Sequence, residues 1–327
     1  MKKAYTFIFL FTLSASAGAQ SKSKYQVVNF FNSISGKQTL SGIHNNEPNA
    51  EPVRRTNRVD SITGHFPALW SGDFLFQREN IDNRQIMINE AVREWKKGAV
   101  INIMWHACNP ASEEPCGWDN GHGVLSKLSD EQWKQLTTDG SELNKIWKAR
   151  IDEVCYYLRQ LKDKNVEVLW RPMHEMNINA FWWAGRPGPD GTIKLYQMLH
   201  DYMVNKKKLT NLIWVWDIQD LSTLADDAKR YKPAPQYWDV AALDVYDHSG
   251  FTDEKYKIMQ QACDGKPMAI GECEVFPSAE KLYAQPKWTF FMAWSDQEFK
   301  CNTIEQIKAI HTAPNVLTLD KMPGWKQ

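Results

Sequence analysis

The sequence has no excess of charge of either sign: 39 Lys and Arg are balanced by 39 Asp and Glu among 327 residues. A nucleic-acid binder needs a basic surplus to displace counterions, so that class is excluded, and an acidic polymer is disfavoured as the main ligand. No stretch reaches 18 uninterrupted apolar residues, so no membrane insertion is read. Linkers rich in Pro, Gly or Ser are missing, and with them any sign of a second domain. There is no P-loop and no glycine-rich fingerprint after the first apolar run, which removes the common nucleotide readings. The six Cys include no C-x-x-C, and His106 with Cys108 has no supporting H-x-x-x-H. No metal and no cofactor is expected. What is abundant is aromatic: 15 Trp, 14 Phe and 11 Tyr, more indoles than a core requires. Their flat faces suit uncharged, flat ligands such as sugar rings.

Residues 1–19 open on Met-Lys-Lys, continue through the apolar run 4–13 and end Ala-Gly-Ala. A basic start, a short apolar centre and an A-x-A end have the form of a secretory signal peptide, with a buried N-terminal helix as the plainer alternative. The mature protein is then expected to be residues 20–327, exported to the periplasm or the cell exterior. Export permits disulfides. Cys108 and Cys116 flank the loop 109–115 and could close it, whereas Cys155, Cys263, Cys273 and Cys301 are scattered and equally compatible with buried thiols.

Eight short apolar, β-branched or aromatic runs follow in order: 38–44, 66–73, 99–106, 166–171, 212–216, 239–245, 267–272 and 288–294. Several are almost continuously apolar, as parallel strands covered on both faces should be. Helical periodicity separates them. Ile86, Ala91, Val92 and Trp95 share a face ending at Gly98; Ile146, Trp147, Ile151, Val154, Leu158 and Leu161 make the strongest helix; Leu195, Met198, Leu199 and Met203 make another. Residues 24–34 read as a helix before the first strand. Eightfold β-α alternation in a chain of this length predicts a single-domain (β/α)8 TIM barrel of the α/β class. The longest irregular stretches, 45–64 and 107–128, both follow strands, on the face where such barrels build their sites.

The strand tips carry the chemistry. In order they end in His44-Asn45-Asn46-Glu47, Asp73, Trp105-His106, Arg171-Pro172-Met173-His174-Glu175, Trp216-Asp217, Tyr246-Asp247, Glu272-Cys273-Glu274 and Trp294-Ser295-Asp296. Any one tip could be a cap or a turn. Eight polar and aromatic tips at one barrel mouth mark a site. Glu175 and Glu272 project from opposite sides of that mouth, and two carboxyl groups across a sugar-sized gap can hydrolyse a glycosidic bond if one stays protonated and the other ionised. Glu274 shares strand parity with Glu272 and competes for its role; Glu272 is preferred because it directly ends the run 268–271. Glu113, Glu114, Asp217 and Asp247 read as solvated loop or subsite residues, and Trp95, Trp133 and Trp147 as core or shell.

The run 170–183, Trp-Arg-Pro-Met-His-Glu-Met-Asn-Ile-Asn-Ala-Phe-Trp-Trp, resembles the acid/base motif of glycoside hydrolase family 26, and 39–44, Trp105-His106, 211–216, 239–246, 266–272 and 287–294 match along the chain. The family consists chiefly of β-mannanases on a (β/α)8 barrel, with the acid/base after strand four and the nucleophile after strand seven. The resemblance implies Glu175 as acid/base and Glu272 as nucleophile. It implies that His174 holds the sugar near its 2-hydroxyl, Tyr246 hydrogen-bonds the nucleophile, Trp294 forms the sugar's floor and His106 lines the same subsite. Trp182 and Trp183 correspond to the family's aromatic pair beside the acid/base. Asn177-Ile178-Asn179 stands where Asn-Gly is frequent, and Cys273-Glu274 where Gly is commoner, departures expected to touch sugar contacts. The implied activity is that of an exported, retaining endo-β-1,4-mannanase, a monomer acting on neutral β-mannan. Mixed-linked β-glucan, β-1,3-xylan, exo-acting mannobiose release and a non-catalytic carbohydrate-binding barrel are the alternatives.

Overall fold

The eight apolar runs are eight parallel strands: β1 Thr39–His44, β2 Leu69–Phe74, β3 Val100–Trp105, β4 Val168–Pro172, β5 Leu212–Gln219, β6 Val240–Val245, β7 Met268–Cys273 and β8 Trp288–Ala293. The computed structural model describes residues 22–119 and 121–326; the segment 1–19 read as a signal peptide lies outside the described residues. Each strand pairs with its successor, β8 pairs with β1 and β1 with β2, so the sheet closes on itself. Every strand residue is buried apart from half-buried Gln219, which explains the near-continuous apolar runs: the barrel interior covers one face and the helices the other. A two-residue strand, β9 Val316–Leu317, adds to β1 outside the ring and was not foreseen. It is too short to leave a periodic trace in the sequence.

The helix Gln26–Ile34 closes the lower end of the barrel. Val27, Val28, Phe30, Phe31 and Ile34 pack with Leu40, Val100, Leu169, Ile213, Val240 and Phe290 from the barrel interior, and the Tyr25 hydroxyl donates to the Leu212 carbonyl at 2.5 Å. Each fully buried side chain of this kind stabilises the fold by roughly 1.5–3 kcal/mol. The bottom is thereby sealed, and the mouth at the C-terminal strand ends is left for chemistry. The outer helices follow the predicted periods with two corrections. In Arg84–Lys97, which stops at left-handed Gly98, Met87 and Ile88 join Ala91 and Val92 on the buried face while Ile86 is exposed. In Glu142–Asp163 Trp147, Ile151, Val154, Leu158 and Leu161 are buried but Ile146 is not. In both, the outlier sits beside a residue that takes the core position. Among the described residues no helix is long and apolar enough to cross a membrane.

Candidate active site

Four charged side chains meet inside the barrel mouth. Arg171 on β4 is fully buried and donates from Nε and Nη2 to Asp217 Oδ2 at 2.9 and 2.6 Å, from Nη2 to both Asp244 oxygens at 3.0 and 2.9 Å, and from Nη1 to Glu272 Oε1 at 3.1 Å. Burial alone would lower the guanidinium, but Asp217, Asp244 and Glu272 outweigh it and hold it above its ordinary value. Asp217, expected to be a solvated loop or subsite residue, is instead 1% exposed within β5, because the strand runs on to Gln219 past the point where its apolar residues seemed to end. Between β6 and β7 the register slips: Leu243 lies opposite Ile270, but Asp244 lies opposite Glu272, leaving Gly271 as the extra residue. The slip aims Glu272 into the mouth. A Cβ on Gly271 would stand 2.5 Å from Asp244 Oδ1 and 2.6 Å from Asp217 Oδ2, so only glycine leaves room for this packing of carboxylates.

Glu272 is held at both oxygens. Beside the Arg171 contact, its Oε2 accepts the Tyr246 hydroxyl at 2.6 Å. Burial, and then the charge of Glu272, push the Tyr246 phenol well above its ordinary value, so it stays a donor. Burial raises Glu272 too, opposed by Arg171 and the Tyr246 bond. Glu175 stands just past β4 with a left-handed backbone, φ 50, and its N–H donates to Asp217 Oδ1 at 3.1 Å. Among the described residues no hydrogen bond reaches its carboxyl group. Burial, then the charges of Glu272 and Asp217, push it well above the usual carboxylate range. Glu175, Asp244 and Glu272 each place a carboxylate oxygen within 4.8 Å of the others. Such a triad could ligate a hard cation, but Arg171 already donates to two of the three and supplies the positive charge.

The walls come from the other tips. His106 donates from Nδ1 to Asp73 Oδ2 at 2.6 Å and from its backbone N–H to Oδ1 at 3.2 Å, so Asp73 fixes the ring's orientation and turns Nε2 away from itself. Burial would raise the Asp73 carboxyl, but His106 and His44 outweigh it and hold it below the usual range. His174 packs 4.6 Å from the His106 ring, and burial drives it well below its ordinary value, so it is neutral. Trp294 lies flat on buried His44 at 4.4 Å, one indole face supported and the other toward the cleft. The cleft, about 370 Å³, is lined by His106, His174, Glu175, Tyr246, Glu272 and Trp294, together with Trp118, Phe181, Gln219, Glu274 and Gln297. A larger hollow of about 800 Å³ lies beside the loop 110–117, but among the described residues its lining holds one carboxylate, Glu113, so the carboxylate pair belongs to the smaller cleft.

Residues 16–321 match Glycosyl hydrolase family 26. The chain belongs to that family. It is 30% identical over 311 residues to a mannan endo-1,4-beta-mannosidase of Thermothelomyces thermophilus; the match takes in 91% of this chain but only 61% of that relative. The GH26A structure from Muricauda sp. MAR_2010_75 superposes with a TM-score of 0.85 at 33% identity, covering 91% of this chain and 96% of the other. A β-mannanase from a symbiotic protist of the termite Reticulitermes speratus, solved with gluco-manno-oligosaccharide, gives a TM-score of 0.78 at 26% identity, covering 95% and 96%.

Against the residues that the family resemblance singled out, Glu175, Glu272, His106, His174, Tyr246 and Trp294 all come together in the cleft. Trp182 and Trp183 do not line it. Each is 1% exposed, with its indole N–H spent on the carbonyls of Ala107 and His174 respectively. The aromatic surface beside Glu175 is Phe181, stacked on Trp183 at 4.4 Å. Trp118, 39% exposed and edge-on to His106, supplies the facing wall and was missed. It follows the loop that the Cys108–Cys116 disulfide closes, and a Trp two residues past a Cys in an irregular stretch is the signal that could have found it. Cys155, Cys263 and Cys273 are buried thiols and Cys301 an exposed one. The departures from the family pattern are mostly structural. Asn177 is buried and bonds the Gln219 backbone and Asp227, and Cys273 is buried; Glu274 alone reaches the cleft.

Proposed function

We propose that this family 26 protein hydrolyses β-1,4-mannosidic bonds inside mannan chains, with retention of anomeric configuration. The supporting observation is the pairing of Glu175 and Glu272: close oxygens, one carboxyl without a donor and the other held by two. Retaining enzymes place their carboxyl groups about 5–5.5 Å apart and inverting ones about 6.5–9.5 Å apart, and the 4.8 Å cluster fits the first class. Glu175 gives its proton to the glycosidic oxygen as that bond breaks, while the Glu272 carboxylate bonds to the anomeric carbon. Water, deprotonated by the same Glu175, then displaces Glu272 and frees the sugar. Trp294 carries the reacting ring, and His106 and His174 address its hydroxyls. Mannanase names on relatives that extend beyond this chain support the substrate class.

Export to the periplasm or exterior is part of the proposal, supported by the pattern of residues 1–19 and by a Cys108–Cys116 bridge suited to an oxidising compartment. The test is a panel of mannan, mixed-linked β-glucan and β-1,3-xylan, with products sized and reduced mannohexaose as a directional probe. Mannan cleaved early into several oligosaccharide sizes is the expected result. Release from glucan or xylan alone would reject the substrate, and mannobiose as sole early product would replace endo with exo action.

A further inference from the structure

Asp217 takes no direct part in that chemistry, yet it holds the chain around the acid. Its Oδ1 accepts the Glu175 N–H at 3.1 Å and its carbonyl accepts the Met176 N–H at 3.3 Å, so the two amides flanking the Glu175 carbonyl are both tied to one residue of β5. The turn needs tying. Met173 and Glu175 have φ of 52 and 50, left-handed values that L side chains adopt rarely and keep only where neighbours enforce them. The other oxygen of Asp217 accepts Nε and Nη2 of Arg171, whose remaining amine donates to Glu272. Three residues further on, Asp220 treats the nucleophile's partner alike: it accepts the N–H of Tyr246 at 3.0 Å and is braced by Lys255 at 2.7 Å.

We infer that Asp217 is a positioning residue of the reaction, fixing the backbone of Glu175 to β5 and to Arg171 and so setting where the acid stands relative to Glu272. The inference rests on the proposed role of Glu175 as acid/base. The site demands a carboxylate, because donors approach both oxygens. An Asn amide would satisfy one side and turn its NH2 toward either Arg171 or the Glu175 N–H. Lack of a side chain at Gly271 keeps the space for Asp217 open.

The experiment compares Asp217→Asn and Glu175→Ala on mannohexaose and on a dinitrophenyl β-mannobioside, whose leaving group needs no proton. For Asp217→Asn we expect kcat/KM on mannohexaose to fall about 100-fold, the lower end of what a general acid supplies. On the dinitrophenyl substrate kcat and KM should fall together, leaving kcat/KM nearly unchanged, because the glycosyl-enzyme then accumulates. Equal loss of kcat/KM on both substrates, or no loss on either, overturns the inference. If Glu175→Ala shows the split and Asp217→Asn does not, Asp217 alone loses its role; if Glu175→Ala shows none, the acid assignment fails first. Should Asp217→Asn not fold, amide exchange in the wild-type chain decides. Protection of the Glu175 N–H equal to that of β5 amides is expected, and exchange as fast as an exposed loop overturns the proposal.

Discussion

The tips of β4 and β7 share one cavity and hold their carboxyl groups by opposite means. Glu272 is fixed through its side chain, with Arg171 on one oxygen and Tyr246 on the other. Glu175 is fixed through its backbone, with Asp217 on its N–H and no described residue donating to its carboxyl. Burial raises both groups. Arg171 opposes the rise at both and Asp217 adds to it at both, but Glu272 also has the Tyr246 hydroxyl against the rise, whereas the charge of Glu272 drives Glu175 well above the usual carboxylate range. Of the two, Glu175 is the one driven to keep its proton, and Glu272, with a donor on each oxygen, is the one suited to be the anion aimed at carbon. The lesson is general: in a shared cavity, the donors assigned to each carboxyl decide which one attacks and which one protonates.

Removing the β7 tip should have the largest effect. Glu272→Ala is expected to lower turnover by on the order of 10⁴-fold or more, since the covalent step has no substitute. Appreciable residual hydrolysis would transfer the role to Glu274, which shares the cleft. Glu175→Ala should cost roughly 10²–10⁴-fold on substrates with poor leaving groups, with small anions such as azide restoring turnover as a retained glycosyl azide. The pH profile carries the same asymmetry. Glu272 must be ionised, so the rate falls as pH drops through its pKa; Glu175 must be protonated, so the rate also falls as pH rises through its elevated pKa. The basic limb of kcat/KM should vanish for a dinitrophenyl glycoside, and its persistence would detach Glu175 from the acid role. The smallest of these effects belongs to Tyr246→Phe. It deletes one charge-assisted bond worth about 1.5–3 kcal/mol, or roughly 10–150-fold in rate. Without that donor Glu272 rises further, moving the acidic limb to higher pH; an unmoved limb would mean that Tyr246 does not support the anion.

The barrel was legible because its strands are buried on both faces and so read as apolar runs, and because polar residues at their tips interrupt those runs at one end. Glu175 and Glu272 stood out for the same reason. The charge network below them did not. Asp217 looked like the start of a loop, since a carboxylate inside a closed barrel makes sense only once Arg171 and the bare Gly271 are seen beside it. The aromatic walls were misread where the backbone is irregular. After β4 the chain runs irregularly from the left-handed turns at Met173 and Glu175 onward, so no simple parity applies where Phe181 lines the cleft and Trp182 and Trp183 are buried. Trp118 depends on the path of a loop closed by a disulfide between residues eight apart, and no periodicity encodes that path.

The contrast between the two tips is tested most directly by trapping the covalent intermediate. A 2-deoxy-2-fluoro-mannosyl fluoride slows release of the glycosyl-enzyme, and mass analysis of the digested protein locates the sugar. One sugar per chain on the peptide at Glu272, absent from Glu272→Ala, is the predicted result. A sugar on Glu274 or Glu175, or no adduct together with a first product of inverted configuration, would contradict the account.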